Sequence, residues 1–168
     1  KDTRTVKIYY KEDNGNLLAT GKMPSGWTIN AGDIIDFEGF TYQSMEEWTR
    51  TLYYTRNSYN VVFENCNGLD DVSLKYEAAL SNAKPTSDLK PPASIESDYT
   101  FGGWYSSPAC EPGTEFNWDS TMPSHNVQVF AKWVAPTYTV SFDANGKEAS
   151  GMPDSIDRVK HHVLNPVS

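Results

Sequence analysis

Tyr59-Asn60-Val61-Val62-Phe63 returns further along the chain as Tyr138-Thr139-Val140-Ser141-Phe142, and this self-similarity decides how the sequence divides. Each copy carries aromatic and β-branched residues at period two, the pattern of a half-buried strand. Each runs on into an Asn-Gly pair, at Asn67-Gly68 and at Asn145-Gly146. Each is also preceded by an aromatic-rich strand and a short linker. Leu52-Tyr53-Tyr54 leads into Thr55–Ser58, and Val129-Phe130-Ala131-Lys132-Trp133 leads into Val134–Thr137. An internal repeat of this length marks stacked supersecondary units. The expected modules are residues 1–57, 58–135 and 136–168, the last being the first half of a further copy.

Working outward, the N-terminal segment alternates from the start. Val6, Ile8 and Tyr10 share one strand face, and Lys7, Tyr9 and Lys11 share the other. Asp13-Asn14-Gly15-Asn16 then supplies a hairpin turn before Leu17-Leu18. A calcium loop at Glu12–Gly15 is disfavoured, because the alternating ligands and the terminal bidentate Glu are missing. Further strands are expected at Gly32–Phe37 and at Trp48–Tyr54, where Trp48, Arg50, Leu52 and Tyr54 alternate with Thr49, Thr51 and Tyr53.

Within residues 58–135 the expected order is strand (Tyr59–Glu64), strand (Val72–Tyr76) and a short helix (Glu77–Ala83) ended by Pro85. A Pro-bearing loop then leads to strands at Tyr99–Tyr105 and Val127–Trp133. Gly102-Gly103 inside a strand pattern marks a bulge or a close backbone approach. Four short strands and one helical turn make a small α+β roll that is mostly β, with Phe101, Trp104 and Trp133 in or beside its core.

Composition bounds the function. The 168 residues hold 22 Asp and Glu against 14 Lys and Arg, a net charge of -8. Such a chain repels nucleic acid and anionic membranes, so neither is an expected partner. No apolar run is long enough to span a bilayer. No signal peptide stands at the start, and a chain opening on Lys1 reads as a mature or excised fragment. Catalysis finds no constellation to carry it. Adjacent His161 and His162 on a strand would point to opposite faces and share no metal, and His125 is the only other histidine. Asp70-Asp71 and Glu46-Glu47 are neighbours along the chain rather than opposed across a cleft, and read as solvated faces or caps. The expectation is a non-enzyme without metal or cofactor. Cys66 and Cys110 lack metal or redox spacing. They are either two separate thiols or a disulfide closing a loop of about 44 residues, which would contribute about 4 kcal/mol.

Residues 59–133 resemble the Listeria–Bacteroides repeat of internalin-type bacterial surface proteins. The resemblance rests on Tyr59-x-Val61-x-Phe63 with its Asn-Gly turn, then Tyr99-Thr100-Phe101-Gly102-Gly103-Trp104-Tyr105, then Val129-Phe130-Ala131-Lys132-Trp133. The family's second turn glycine is Leu69 here and Lys147 in the partial copy at 138–168. Residues 1–57 resemble, more distantly, the mucin-binding-protein-like repeat, through Val6-Lys7-Ile8-Tyr9-Tyr10, Glu12-Asp13-Asn14-Gly15-Asn16 and Leu52-Tyr53-Tyr54. The resemblance implies tandem β-grasp (ubiquitin-like) modules on an exported, cell-surface or wall-attached bacterial protein. It implies spacer or adhesive work, and the chain is expected to act as a monomer with a host or matrix protein, mucin or glycan as partner. A carbohydrate-binding module is the rival reading. Sugar sites use exposed aromatic platforms, and Trp27, Trp48 and Trp118 lie outside the repeat motifs and are the candidate platforms.

Overall fold

The computed structural model describes residues 4–142 and 155–159. The architecture is mostly β. Ten strands are described: β1 (Thr5–Glu12), β2 (Leu17–Pro24), β3 (Phe40–Glu46), β4 (Thr51–Arg56), β5 (Ser58–Glu64), β6 (Val72–Lys75), β7 (Thr100–Tyr105), β8 (Val127–Val134), β9 (Thr137–Ser141) and β10 (Ser155–Val159). They form a four-stranded sheet of order β2-β1-β4-β3, a second of order β6-β5-β8-β7, and a β9–β10 pair. Two compact units emerge: Lys1–Val62 with Asp71–Pro85 and Asn117–Gln128, and Phe63–Asp70 with Thr86–Phe116 and Val129–Ser168.

In the first sheet β1 pairs antiparallel with β2 and parallel with β4, and β3 pairs antiparallel with β4. The expected hairpin is present. Gly15 takes φ 93, a left-handed conformation that costs glycine nothing, and its N–H donates to the Glu12 carbonyl at 2.9 Å. The alternation then buries one face: Ile8, Tyr10, Met23, Ile29, Leu52 and Tyr54 form a core with Val6, Leu18, Phe37, Phe40 and Tyr42 packed against it. Its rings meet edge-on, Tyr10 to Phe37 at 5.7 Å and Phe37 to Tyr54 at 5.1 Å, the arrangement that ring quadrupoles favour.

Two expected strands are corrected. Residues 32–37 form no strand; a 3-10 turn spans Ala31–Asp33. The Asn30 side chain accepts from the Gly32 N–H, the Asp33 carboxylate accepts from the Asn30 N–H, and that reciprocal cap holds the turn closed. Nor does β4 begin at Trp48: Arg50 sits at φ 55, which ends the extended run, and pairing starts at Thr51.

In the second sheet β5 and β6 are antiparallel, as are β7 and β8. The register slips between Phe101 and Gly103, a bulge where Gly103 takes φ 120. The expected helix at 77–83 is only a 3-10 turn, Leu80–Ala83. Val61, Leu80, Ala83, Trp104, Tyr105, Trp118, Met122, Val129 and Ala131 are buried. Trp104 takes the core place expected of it, while Phe101 remains 40% exposed and meets Trp104 and Trp133 edge-on at 5.4 and 5.8 Å. The expected turn at Asn145-Gly146 and the pair His161 and His162 lie outside the described residues.

Candidate binding surface

Two loops at one end of the first sheet present the exposed indoles. Between β2 and the 3-10 turn, the chain is pinned before and after Trp27. The Trp27 N–H donates to the Pro24 carbonyl, and the Ser25 N–H reaches the Arg4 carbonyl at 2.9 Å. On the far side Ile29 is buried in the core, and its N–H donates to both Glu47 carboxylate oxygens at 3.0 and 3.2 Å. Trp27, held between these anchors, is 67% exposed.

Glu47 belongs to the second loop, the tight turn from β3 to β4. Arg50 in its left-handed conformation brings its N–H to the Glu47 carbonyl at 3.1 Å, and its Nε donates to the Lys7 carbonyl at 3.0 Å. The Thr49 hydroxyl donates to the Glu46 carboxylate at 2.6 Å. Trp48 stands at the crest of this turn, 79% exposed. Glu46 and Glu47, expected as solvated carboxylates, are therefore loop pins, and Glu47 ties the Trp27 loop to the Trp48 turn. Met45 near the end of β3 and Thr28, next to Trp27 in the chain, are exposed as well. Burying two indoles of this size under a ligand would remove apolar area that the fold leaves in water.

Trp118 is corrected. It is only 9% exposed and belongs to the protein interior, so it offers no platform. Its polar neighbours Asn117 and Asp119 make it look like a surface loop residue; the Asp119 N–H caps back onto the Asn117 side chain at 3.0 Å, closing a turn beside it. Of the two readings of the cysteines, the structure records the free thiols: Cys66 and Cys110 are half-buried and unbonded. Burial pushes both thiols above their ordinary value, reinforced at Cys66 by the Glu64 charge and partly offset at Cys110 by Lys132.

At the opposite end of the first sheet, around the β1–β2 hairpin, is a polar cleft of about 260 Å³ lined by Glu12, Asp13, Asn14, Asn16, Thr55, Arg56 and Lys75. Its chemistry is internal. Arg56 Nε donates to Glu12 Oε1 at 2.9 Å, and the Asn16 side chain donates to Glu12 Oε2 at 3.0 Å. The Arg56 hydrogen bond holds the Glu12 carboxyl below its ordinary value against the opposing effect of burial. Nothing in the local sequence singles out Glu12 or Arg56; their meeting depends on the β1–β4 pairing. Among the described residues no group of three His, Cys, Asp or Glu side chains is placed to hold a metal.

Residues 59–132 match the model of the Listeria-Bacteroides repeat domain. A protein of Evansella cellulosilytica whose name calls it a Gly-rich membrane protein is 29% identical over 140 residues, covering 80% of this chain. The chain spans 15% of that relative's length.

Proposed function

We propose that the chain is a repeat region of a bacterial cell-surface protein, non-catalytic, that spaces and adheres through tandem β-grasp modules. The repeat match over residues 59–132 and the membrane-protein relative support the surface setting. Strand order supports the β-grasp reading: both four-stranded sheets place the module's strands in the sequence second, first, fourth, third. In the second sheet the anchors of β5 and β8 rise together. The Asn60 N–H donates to the Asn126 side chain, and the Asn65 side chain donates to the Ala131 carbonyl, as they do when central strands run parallel. On this reading residues 1–57 are a mucin-binding-like module, 58–135 a complete repeat, and the β9–β10 pair opens another.

The observation that carries recognition is the Trp27 and Trp48 pair on two loops tied by Glu47. A fold that needs no binding partner gains little from holding two indoles in water on rigid turns. The partner class is a host or matrix protein, mucin or glycan. A carbohydrate ligand is the second reading, supported by two exposed indoles on loops that also carry polar side chains, the exposed Thr28 beside Trp27 and Thr49 beside Trp48.

The test is binding of the chain to a panel of mucins, matrix proteins and glycans at physiological salt. Saturable micromolar binding, lost in Trp27→Ala and in Trp48→Ala but kept in Phe101→Ala, is the expected result. Binding that survives both tryptophan substitutions would move recognition elsewhere, and no binding across the panel would leave a spacer.

A further inference from the structure

Arg56, the last residue of β4, is shared between the first sheet and the repeat that follows it. Its Nε and Nη2 donate to the Glu12 carboxylate at 2.9 and 3.3 Å, at the end of β1. Its Nη1 donates to the Tyr76 carbonyl at 3.0 Å and to Glu77 Oε2 at 2.8 Å, just beyond β6. The guanidinium also lies over the Phe40 ring, 4.9 Å from its centroid. Planar, five-donor geometry is what allows one cation to serve three acceptors at once.

Around this cation the two sides interlock. The Tyr76 ring meets Phe40 edge-on at 5.8 Å and covers Gly39, where a Cβ would collide with it. Asn57, the only residue between β4 and β5, donates its N–H to the Gly39 carbonyl at 2.8 Å and accepts from the Tyr76 N–H at 2.8 Å. The Thr41 hydroxyl donates to the Asn57 side chain at 2.7 Å, and the Ser124 hydroxyl donates to Glu38 at 2.6 Å. A one-residue connection with its backbone bonded on both sides is not a hinge.

We propose that Glu12, Glu38, Gly39, Phe40 and Arg56 form a docking face for the next repeat in the chain. Its partner is a repeat that presents an aromatic and an acidic residue together just past its second strand, here Tyr76 and Glu77. The consequence is that residues 4–57 and β6 with the turn after it open and close as one cooperative unit instead of as beads on a flexible string. This holds whether the array only spaces or also binds at Trp27 and Trp48, so its failure would leave the proposed function standing.

The test is native-state hydrogen exchange by NMR on the whole chain, read at the Asn57 and Tyr76 amides. The expected result is protection within tenfold of the amides of the central strand β1. Arg56→Ala then lowers protection at Asn57 and Tyr76 by tenfold or more, while β1 amides change much less. Glu77→Gln, at a largely exposed side chain, serves as the milder variant if Arg56→Ala fails to fold, and lowers the same two amides several-fold. Loop-like exchange of Asn57 and Tyr76 in the unaltered chain overturns the proposal, as does protection that neither substitution alters.

Discussion

Gly39→Ala is the substitution whose cost the structure resolves into separate parts. Gly39 holds φ +76, and a Cβ there would collide with the Tyr76 ring. Placing an L-residue in the left-handed region costs about 1–2 kcal/mol. Forcing an aromatic ring aside in a packed contact adds about 1–3 kcal/mol. Against this, alanine restricts the unfolded chain and returns about 0.4–1 kcal/mol. The net expectation is a loss of about 2–4 kcal/mol, a large share of the ~5–15 kcal/mol that holds a typical domain. Equilibrium urea unfolding followed by far-UV circular dichroism measures it, with the m-value checked for constancy. A second background separates the causes. In Tyr76→Ala the ring is gone, so Gly39→Ala should then cost only the backbone strain, about 1 kcal/mol. An equal cost in both backgrounds, or a cost below about 0.5 kcal/mol in the first, would refute the reasoning, because the ring would then not occupy the space over Gly39.

Two further outcomes follow from the site chemistry. Glu12 has a folded-state pKa below its ordinary value of 4.5, chiefly through the Arg56 hydrogen bond, so its contribution is present above that value and is lost as the pH falls below it. Urea midpoints should drop on acidification from about pH 4.5, and Glu12→Gln should flatten part of that slope; an unchanged slope would remove Glu12 from the account. Trp27→Ala and Trp48→Ala should each change stability by less than about 0.5 kcal/mol, whereas Trp118→Ala should cost about 3–5 kcal/mol. Thermal unfolding of the three variants decides it, and a Trp48 cost equal to that of Trp118 would mean that its indole is packed.

What could be read from the sequence was whatever is written locally. The β1–β2 hairpin is carried by Val6, Ile8 and Tyr10 alternating up to an Asn-Gly turn, and the bulge in β7 by Gly102-Gly103. The strand expected at 32–37 failed because Asn30 and Asp33 cap a 3-10 turn, a short-range competition that apolar alternation cannot register. Trp48 was placed on β4 by the same alternation, and only the left-handed Arg50 reveals that it stands on a turn. Trp27 and Trp48 were legible as candidates by standing outside the repeat motifs, and Trp118 stood outside them equally, so that criterion could not tell the buried indole from the exposed ones. Arg56 had no signal at all. Its partners come from β1, from β3 and from beyond β6, and only the completed topology assembles them.

The parallel pairing of β1 with β4 bears on how the module answers a pulling force. The first and last strands of the sheet lie side by side, with Tyr9 opposite Thr51 and Glu12 opposite Tyr54. The chain therefore enters at one pole of the sheet and departs at the other, and tension along it slides the two strands past each other. Their hydrogen bonds are loaded together in shear, where an antiparallel terminal pair would be unzipped one bond at a time. Single-molecule stretching should find the first sheet yielding at a higher force than the β9–β10 hairpin, whose strands peel from one end. The order of four strands would then decide how much tension the first sheet bears before it opens.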